Sequence, residues 1–200
     1  AQSDEGKPWH QHGYLWPDLL RHVRKIDAFT HTKNMYISLQ SFQGPFRRPE
    51  NLFRLNGIGF DYDFHDTGTS IETMFDAFAR LEADVFNGLI LPPPSLVVFT
   101  GRGFQMIYLL EPLPKQGLPL WKMVGKAIAE RIEDCISRHK KDNILMGHLD
   151  QNYSDVTRVL RVAGTPNTEA QCYAVLMMPD ADTEPVRYRL DALRDAYIPE

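Results

Sequence analysis

Between Leu55 and Asp66 the chain reads L-N-G-I-G-F-D-Y-D-F-H-D, and its apolar residues alternate with the rest. Ile58, Phe60, Tyr62 and Phe64 share one parity, and Gly57, Gly59, Asp61 and Asp63 the other, which is the period of a β-strand with one face in a core. The two carboxylates therefore point the same way. Side by side on a half-buried strand they repel and lose solvation unless a cation sits between them, and an oxygen-rich pair of this kind suits Mg²⁺ or Mn²⁺. The glycines before them leave that face bare, so a bulky ligand is expected to lie against the backbone there. The plainer alternative is a solvated strand edge that ends in a turn at Asp66, Thr67 and Gly68.

A chain of 200 residues, 43% hydrophobic and 24% charged, is long enough to bury its own core. Residues 1–200 read as a single domain, with the polar stretch 1–13, holding Gly6, Pro8 and Gly13, as a loose lead-in. Cys135 and Cys172 form no C-x-x-C pair and show no nearby His spacing for a zinc site, so an unbridged cytoplasmic protein without structural zinc is expected. No apolar run approaches the ~20 residues of a membrane helix, and no membrane partner is expected. The formal charge of −4 argues against a generally basic nucleic-acid coat but leaves room for a local groove. Arg47 and Arg48, and then Arg158 and Arg161, are basic clusters that either meet phosphates or sit on solvated surface.

The rest of the chain alternates helix and strand signals. The H-Q-H at His10 to His12 is rejected as a metal pair, because Gln11 separates the imidazoles and Pro8 and Gly13 flank them. Leu19, Leu20, Val23 and Ile26 recur at helical spacing after Pro17. Met35, Ile37 and Leu39 mark a strand before a Pro- and Arg-rich loop, Gln43 to Glu50. Ser70 is placed to cap a helix whose buried stripe is Met74, Phe75, Phe78, Leu81 and Val85, ending at Asn87-Gly88. Ser95 to Phe99 and Phe104 to Leu110 read as a hairpin, and 117–140 as the longest helix, with Leu120, Met123, Val124, Ile128, Ile132 and Ile136 on its apolar face. A short strand near Leu149, a helical turn, a strand from Cys172 to Met178 and a short helix near Leu190 to Ala196 follow. Hairpins among alternating elements predict an α+β fold with a mixed or antiparallel sheet.

Three pieces stand out for chemistry: D-Y-D-F at Asp61 to Phe64, T-G-R-G-F-Q at Thr100 to Gln105, and L-D followed by R-V-L-R-V-A-G-T-P-N, from Leu149 to Asn167. The glycine turn lacks the G-K-[ST] ending of a P-loop. Its backbone N–H groups and the Arg102 guanidinium make either a triphosphate cradle or an ordinary hairpin turn.

In this order the three pieces resemble the archaeo-eukaryotic primase superfamily, particularly the primase-polymerase domains of plasmid and phage replication proteins, over about Asn34 to Met178. The resemblance implies an RRM-like mixed sheet that carries three carboxylates, with an N-terminal α/β unit beside it. It implies that Asp61, Asp63 and Asp150 are catalytic and hold two divalent ions, Mg²⁺ or Mn²⁺, with Asp155 the competing choice for the third ligand. It implies that Thr100, Gly101, Arg102, Gly103 and Gln105 bind the incoming nucleotide, although Gln105 stands where the family has a histidine, so a neutral amide replaces a charged imidazole. Arg158 and Arg161 neutralise phosphate or bind template, or else pair with Asp155 or a core carboxylate. His65 and His148 lie near the ligands and read as neighbours of the site. The expected function is template-directed nucleotidyl transfer, a primase and DNA polymerase making primers for replication. Its partners are a single-stranded DNA template and nucleoside triphosphates, with a helicase or further domains outside this chain. The alternatives are a non-catalytic origin- or template-binding replication module and a metal-dependent nuclease.

Overall fold

The computed structural model describes residues 33–64, 68–142, 144, 146–179 and 182–198. The expected helix after Pro17, the H-Q-H segment and His65 lie outside these residues. Two short strands, β1 (Tyr36–Ser38) and β2 (Ser41–Phe42), precede β3 (Leu52–Asp63), the strand announced by the alternation. Ile58, Phe60, Tyr62 and Phe64 are all buried to 1% or less, as the period requires.

Helix α1 (Ile71–Asp84) starts where Ser70 Oγ accepts the Thr73 N–H at 3.3 Å, and buries Met74, Ala77, Phe78 and Leu81 at helical spacing. It stops before Asn87-Gly88, because Asn87 Oδ1 accepts the N–H groups of Leu89 and Ile90 and closes a turn of its own. Strands β4 (Leu96–Phe99) and β5 (Gly103–Pro114) form the hairpin. Helix α2 (Leu118–Lys141) follows. Met123, expected on its buried stripe, is exposed; Trp121 turns inward instead, and its indole N–H donates to the Gly57 carbonyl at 2.9 Å. Then come β6 (His148–Leu149), β7 (Val159–Arg161), β8 (Pro166–Asn167), β9 (Cys172–Tyr173), β10 (Val175–Met178), β11 (Arg187–Tyr188) and α3 (Leu190–Tyr197).

The order β3-α1-β4-β5-α2-β6 folds into a sheet in which the strands lie β6-β3-β5-β4, each antiparallel to its neighbour. Numbered by sequence that is 4-1-3-2, the βαββαβ arrangement of RRM and ferredoxin-like domains. β10 extends the β4 edge and β2 pairs with the start of β3. β11 adds a parallel partner to β5, which makes the sheet mixed, as expected.

The second face of β3 differs from expectation. β1 and β7 pair into a two-stranded sheet of their own. A Cβ added at Gly59 would stand 2.7 Å from Leu160 Cδ1 and 3.1 Å from Leu39 Cδ1. The glycines are therefore roofed by the chain's own leucines and are not open to a bulky ligand; they let one layer approach the other closely. Only the end of that face, beyond Gly59, carries the aspartates.

Candidate active site

Strand pairing decides what stands beside each aspartate. In register Asp61 faces Gln105 of β5 and Asp63 faces Gly103, while on the other edge β6 sets His148 opposite Asp63. One residue past Leu149 the Asp150 N–H still donates to the Asp61 carbonyl at 2.9 Å. Residues opposed across antiparallel strands share a face. Gln105, Asp61 and Asp150 thus form one row across the sheet, and Gly103, Asp63 and His148 form the next.

Arg158 closes over this end of the sheet. Its Nη2 donates to Oδ2 of both Asp61 and Asp150, the latter at 2.9 Å, while Nη1 is buried with no hydrogen-bond partner. The side chain is 13% exposed, so this is a mostly desolvated ion pair. Asp150 Oδ1 accepts the backbone and side-chain N–H of Asn152, each at 2.9 Å, which caps the 3₁₀ turn Gln151–Ser154. Gln105 is buried opposite Asp61, and its Oε1 accepts the Arg161 N–H at 3.0 Å. Burial pushes the Asp61 carboxyl above the usual carboxylate range; Arg158 and Gln105 pull it down, and Asp150 adds to the rise.

The other predicted residues have different surroundings. Asp155 Oδ1 accepts the N–H and the hydroxyl of Thr157, each at 2.8 Å, in a local turn. Thr100 Oγ1 donates to the Gly103 carbonyl at 3.1 Å. Gly101 has φ +89°, and a Cβ there would collide with Cys172 Sγ, so this turn accepts only glycine. Arg102 pairs with Glu169 at 2.9 Å, both side chains largely exposed. Arg161 donates to Asn34 Oδ1 at 2.8 Å, the Pro166 carbonyl at 3.1 Å and the Tyr36 hydroxyl at 2.8 Å, with its guanidinium 4.8 Å from the Tyr36 ring. Arg47 donates to the Thr157 carbonyl, while Arg48 lies 3.9 Å from Glu50 at the surface.

The run from Arg158 to Asn167 is one brace. Arg158 neutralises the carboxylate row, Leu160 roofs Gly59, Arg161 grips β1, and Asn167 Nδ2 donates to the Thr100 carbonyl at 2.7 Å. All three sequence pieces are thereby tied together.

Sequence reasoning missed Glu169 as the partner of Arg102, the register that sets His148 beside Asp63, and a cluster of Asp84, Cys135 and His139. Only the last had a signal, a Cys and a His four residues apart on a helix. Among the described residues it is that cluster, and not the aspartates, whose ligand atoms all lie within 4.8 Å of one another. At the three aspartates the donor set is all oxygen, and Arg158 bridges Asp61 and Asp150. That chemistry fits a hard divalent ion.

No family model matches the sequence. A replication protein of Clostridium perfringens is 31% identical over 168 residues, which cover 84% of this chain and 36% of that protein. The chain thus spans about a third of the length of this curated relative. Among solved structures, the archaeo-eukaryotic primase domain of the cyanophage S-2L primase-polymerase superposes with a TM-score of 0.55, over 82% of this chain and 70% of that one, at 14% identity. The chain therefore shares the fold of that archaeo-eukaryotic primase domain. The carboxylate row lies at the end of the βαββαβ sheet. No described helix is long and apolar enough to cross a membrane.

Proposed function

We propose that this domain carries out template-directed nucleotidyl transfer in the cytoplasm, making primers on single-stranded DNA from nucleoside triphosphates and extending them as DNA. The observation that carries this reading is the row Gln105, Asp61 and Asp150 under Arg158, with Asp63 one row along. Asp61, Asp63 and Asp150 would hold two ions, Mg²⁺ or Mn²⁺, which when bound activate the attacking hydroxyl and neutralise the triphosphate. Gln105 stands opposite Asp61 across the strand pair and is itself fixed by the Arg161 N–H. Arg158 supplies the countercharge of the row, and its unpartnered Nη1 is a donor for an incoming phosphate oxygen. Arg102 offers a second cation at the rim, and Thr100, Gly101 and Gly103 shape the turn that presents it. Tethering to a helicase or other replication domains is part of the same reading.

Primer synthesis on a single-stranded template with Mg²⁺ or Mn²⁺ tests it. Asp61→Asn and Asp63→Asn should each abolish product, and either variant keeping near-normal synthesis would sink the reading. The neutralised carboxylates favour one rival, a silent template-binding module. That rival predicts retained single-strand binding with no product from the unmutated protein.

A further inference from the structure

On the helical side of the sheet, the face opposite the aspartates, lies a second cluster of ligating groups. Cys135 and His139 are four residues apart on α2 and so share a face, and Asp84 is the last residue of α1. His139 Nε2 lies 2.8 Å from Asp84 Oδ2, and Cys135 Sγ lies 4.0 Å from the same oxygen. The three ligand atoms all fall within 4.8 Å of one another. Cys135 is fully buried, and the His139 side chain is 16% exposed. A buried thiol would ordinarily aim its sulfur at hydrocarbon; this one is held toward a carboxylate and an imidazole.

We propose that Asp84, Cys135 and His139 form a site for a thiophilic divalent cation, of which Zn²⁺ is the best match, clasping the end of α1 to α2. One sulfur, one nitrogen and one oxygen donor make three corners of a tetrahedron, and a thiolate selects strongly against Mg²⁺ and Mn²⁺. Burial and the Asp84 charge push the Cys135 thiol up, so without an ion it keeps its proton, and metal binding must release it. The direct His139–Asp84 hydrogen bond is the ion-free arrangement. For Nε2 to ligate a cation, the proton it shares with Asp84 Oδ2 would have to pass to Nδ1 or leave, after which the ring nitrogen and the carboxylate oxygen would each offer a lone pair. The site differs from the all-oxygen aspartate row in donor chemistry, so the two can be loaded separately.

Cobalt titration of chelator-stripped protein tests this. One equivalent of Co²⁺ should give tetrahedral ligand-field bands with thiolate-to-cobalt charge transfer. One equivalent of Zn²⁺ should abolish them and raise Tm by at least about 5 °C. C135S should remove both effects, H139N should weaken cobalt binding at least about tenfold, and primer synthesis should persist in each. D61N should leave the charge-transfer band unchanged, which keeps the outcome separate from the fate of the aspartate row. If C135S fails to fold, H139N carries the test. A spectrum without thiolate charge transfer, or a band removed by C172S and not by C135S, overturns the site and leaves a simple His–Asp pair beside a buried thiol.

Discussion

Asp61 and Arg158, separated by 97 positions in the chain, form an ion pair over the last rows of the sheet, and the same Nη2 holds Asp150. The positive charge that two clustered aspartates demand is therefore present in the protein itself.

That pairing ties the stability of the row to Arg158. Arg158→Met should destabilise the chelator-treated protein by about 3 kcal/mol, since it leaves the row uncompensated. Asp61→Asn should cost less, and the double variant less than the sum, with a coupling of about 1–3 kcal/mol. Denaturant melts of the cycle measure it. Mn²⁺ should rescue Arg158→Met more than the unmutated protein, and additive losses would mean the pair is not energetically coupled.

The direction of the Asp61 shift sets a pH dependence. Its folded-state pKa is raised by burial, so the neutral acid is favoured on folding. The stability this contributes is complete below the ordinary value near ~4 and is lost as pH rises through the folded value. In chelator, the unmutated protein should therefore lose stability relative to Asp61→Asn as pH rises from about 4 toward neutrality. Urea midpoints across that range decide it; a gain would show that Arg158 outweighs burial.

Asp150 and Asp155 compete for the third ligand. Asp150 continues the Asp61 row, whereas Asp155 caps the turn that contains Thr157. Asp150→Asn should abolish primer synthesis, and Asp155→Asn should keep it while costing about 1 kcal/mol of stability. Primer assays paired with thermal melts separate them, and the reverse pattern would exchange their roles.

Gln105 and Arg102 should fail in different ways. Gln105→Ala strands the Arg161 N–H and removes the amide opposite Asp61, so it should lower kcat and cost about 1–3 kcal/mol of stability. Arg102→Ala should mainly raise KM for nucleotide. Glu169→Ala, by releasing the Arg102 guanidinium, should lower that KM. Steady-state kinetics over nucleotide concentration check all three; unchanged KM in both Arg102 and Glu169 variants would remove the turn from the nucleotide site.

What could be read in advance was local. The alternation before Asp61, the Ser70 cap and the hairpin around Gly101 each depend on a few neighbouring residues, and each is present. Asp150 is expected beside the strand aspartates only through the resemblance, and β6 supplies the pairing that sets it in the row. What could not be read depends on register and layer contact. Nothing local says that Leu160 lands on Gly59, that Arg158 reaches Asp61, or that the end of α1 meets Cys135 and His139. The buried Trp121 displaced Met123 because a large ring with one N–H found both a cavity-filling position and the Gly57 carbonyl.

β6 is only two residues long, yet it delivers Asp150 to the row. A strand so short has little cooperative hold of its own, and local opening is drawn from such weakly held pieces. The carboxylate row can therefore come apart at one end while β3, β5 and the helices stay folded. Asp150 and Asp61 would hold an ion across this two-residue seam, so assembling the site and finishing the fold would be the same event.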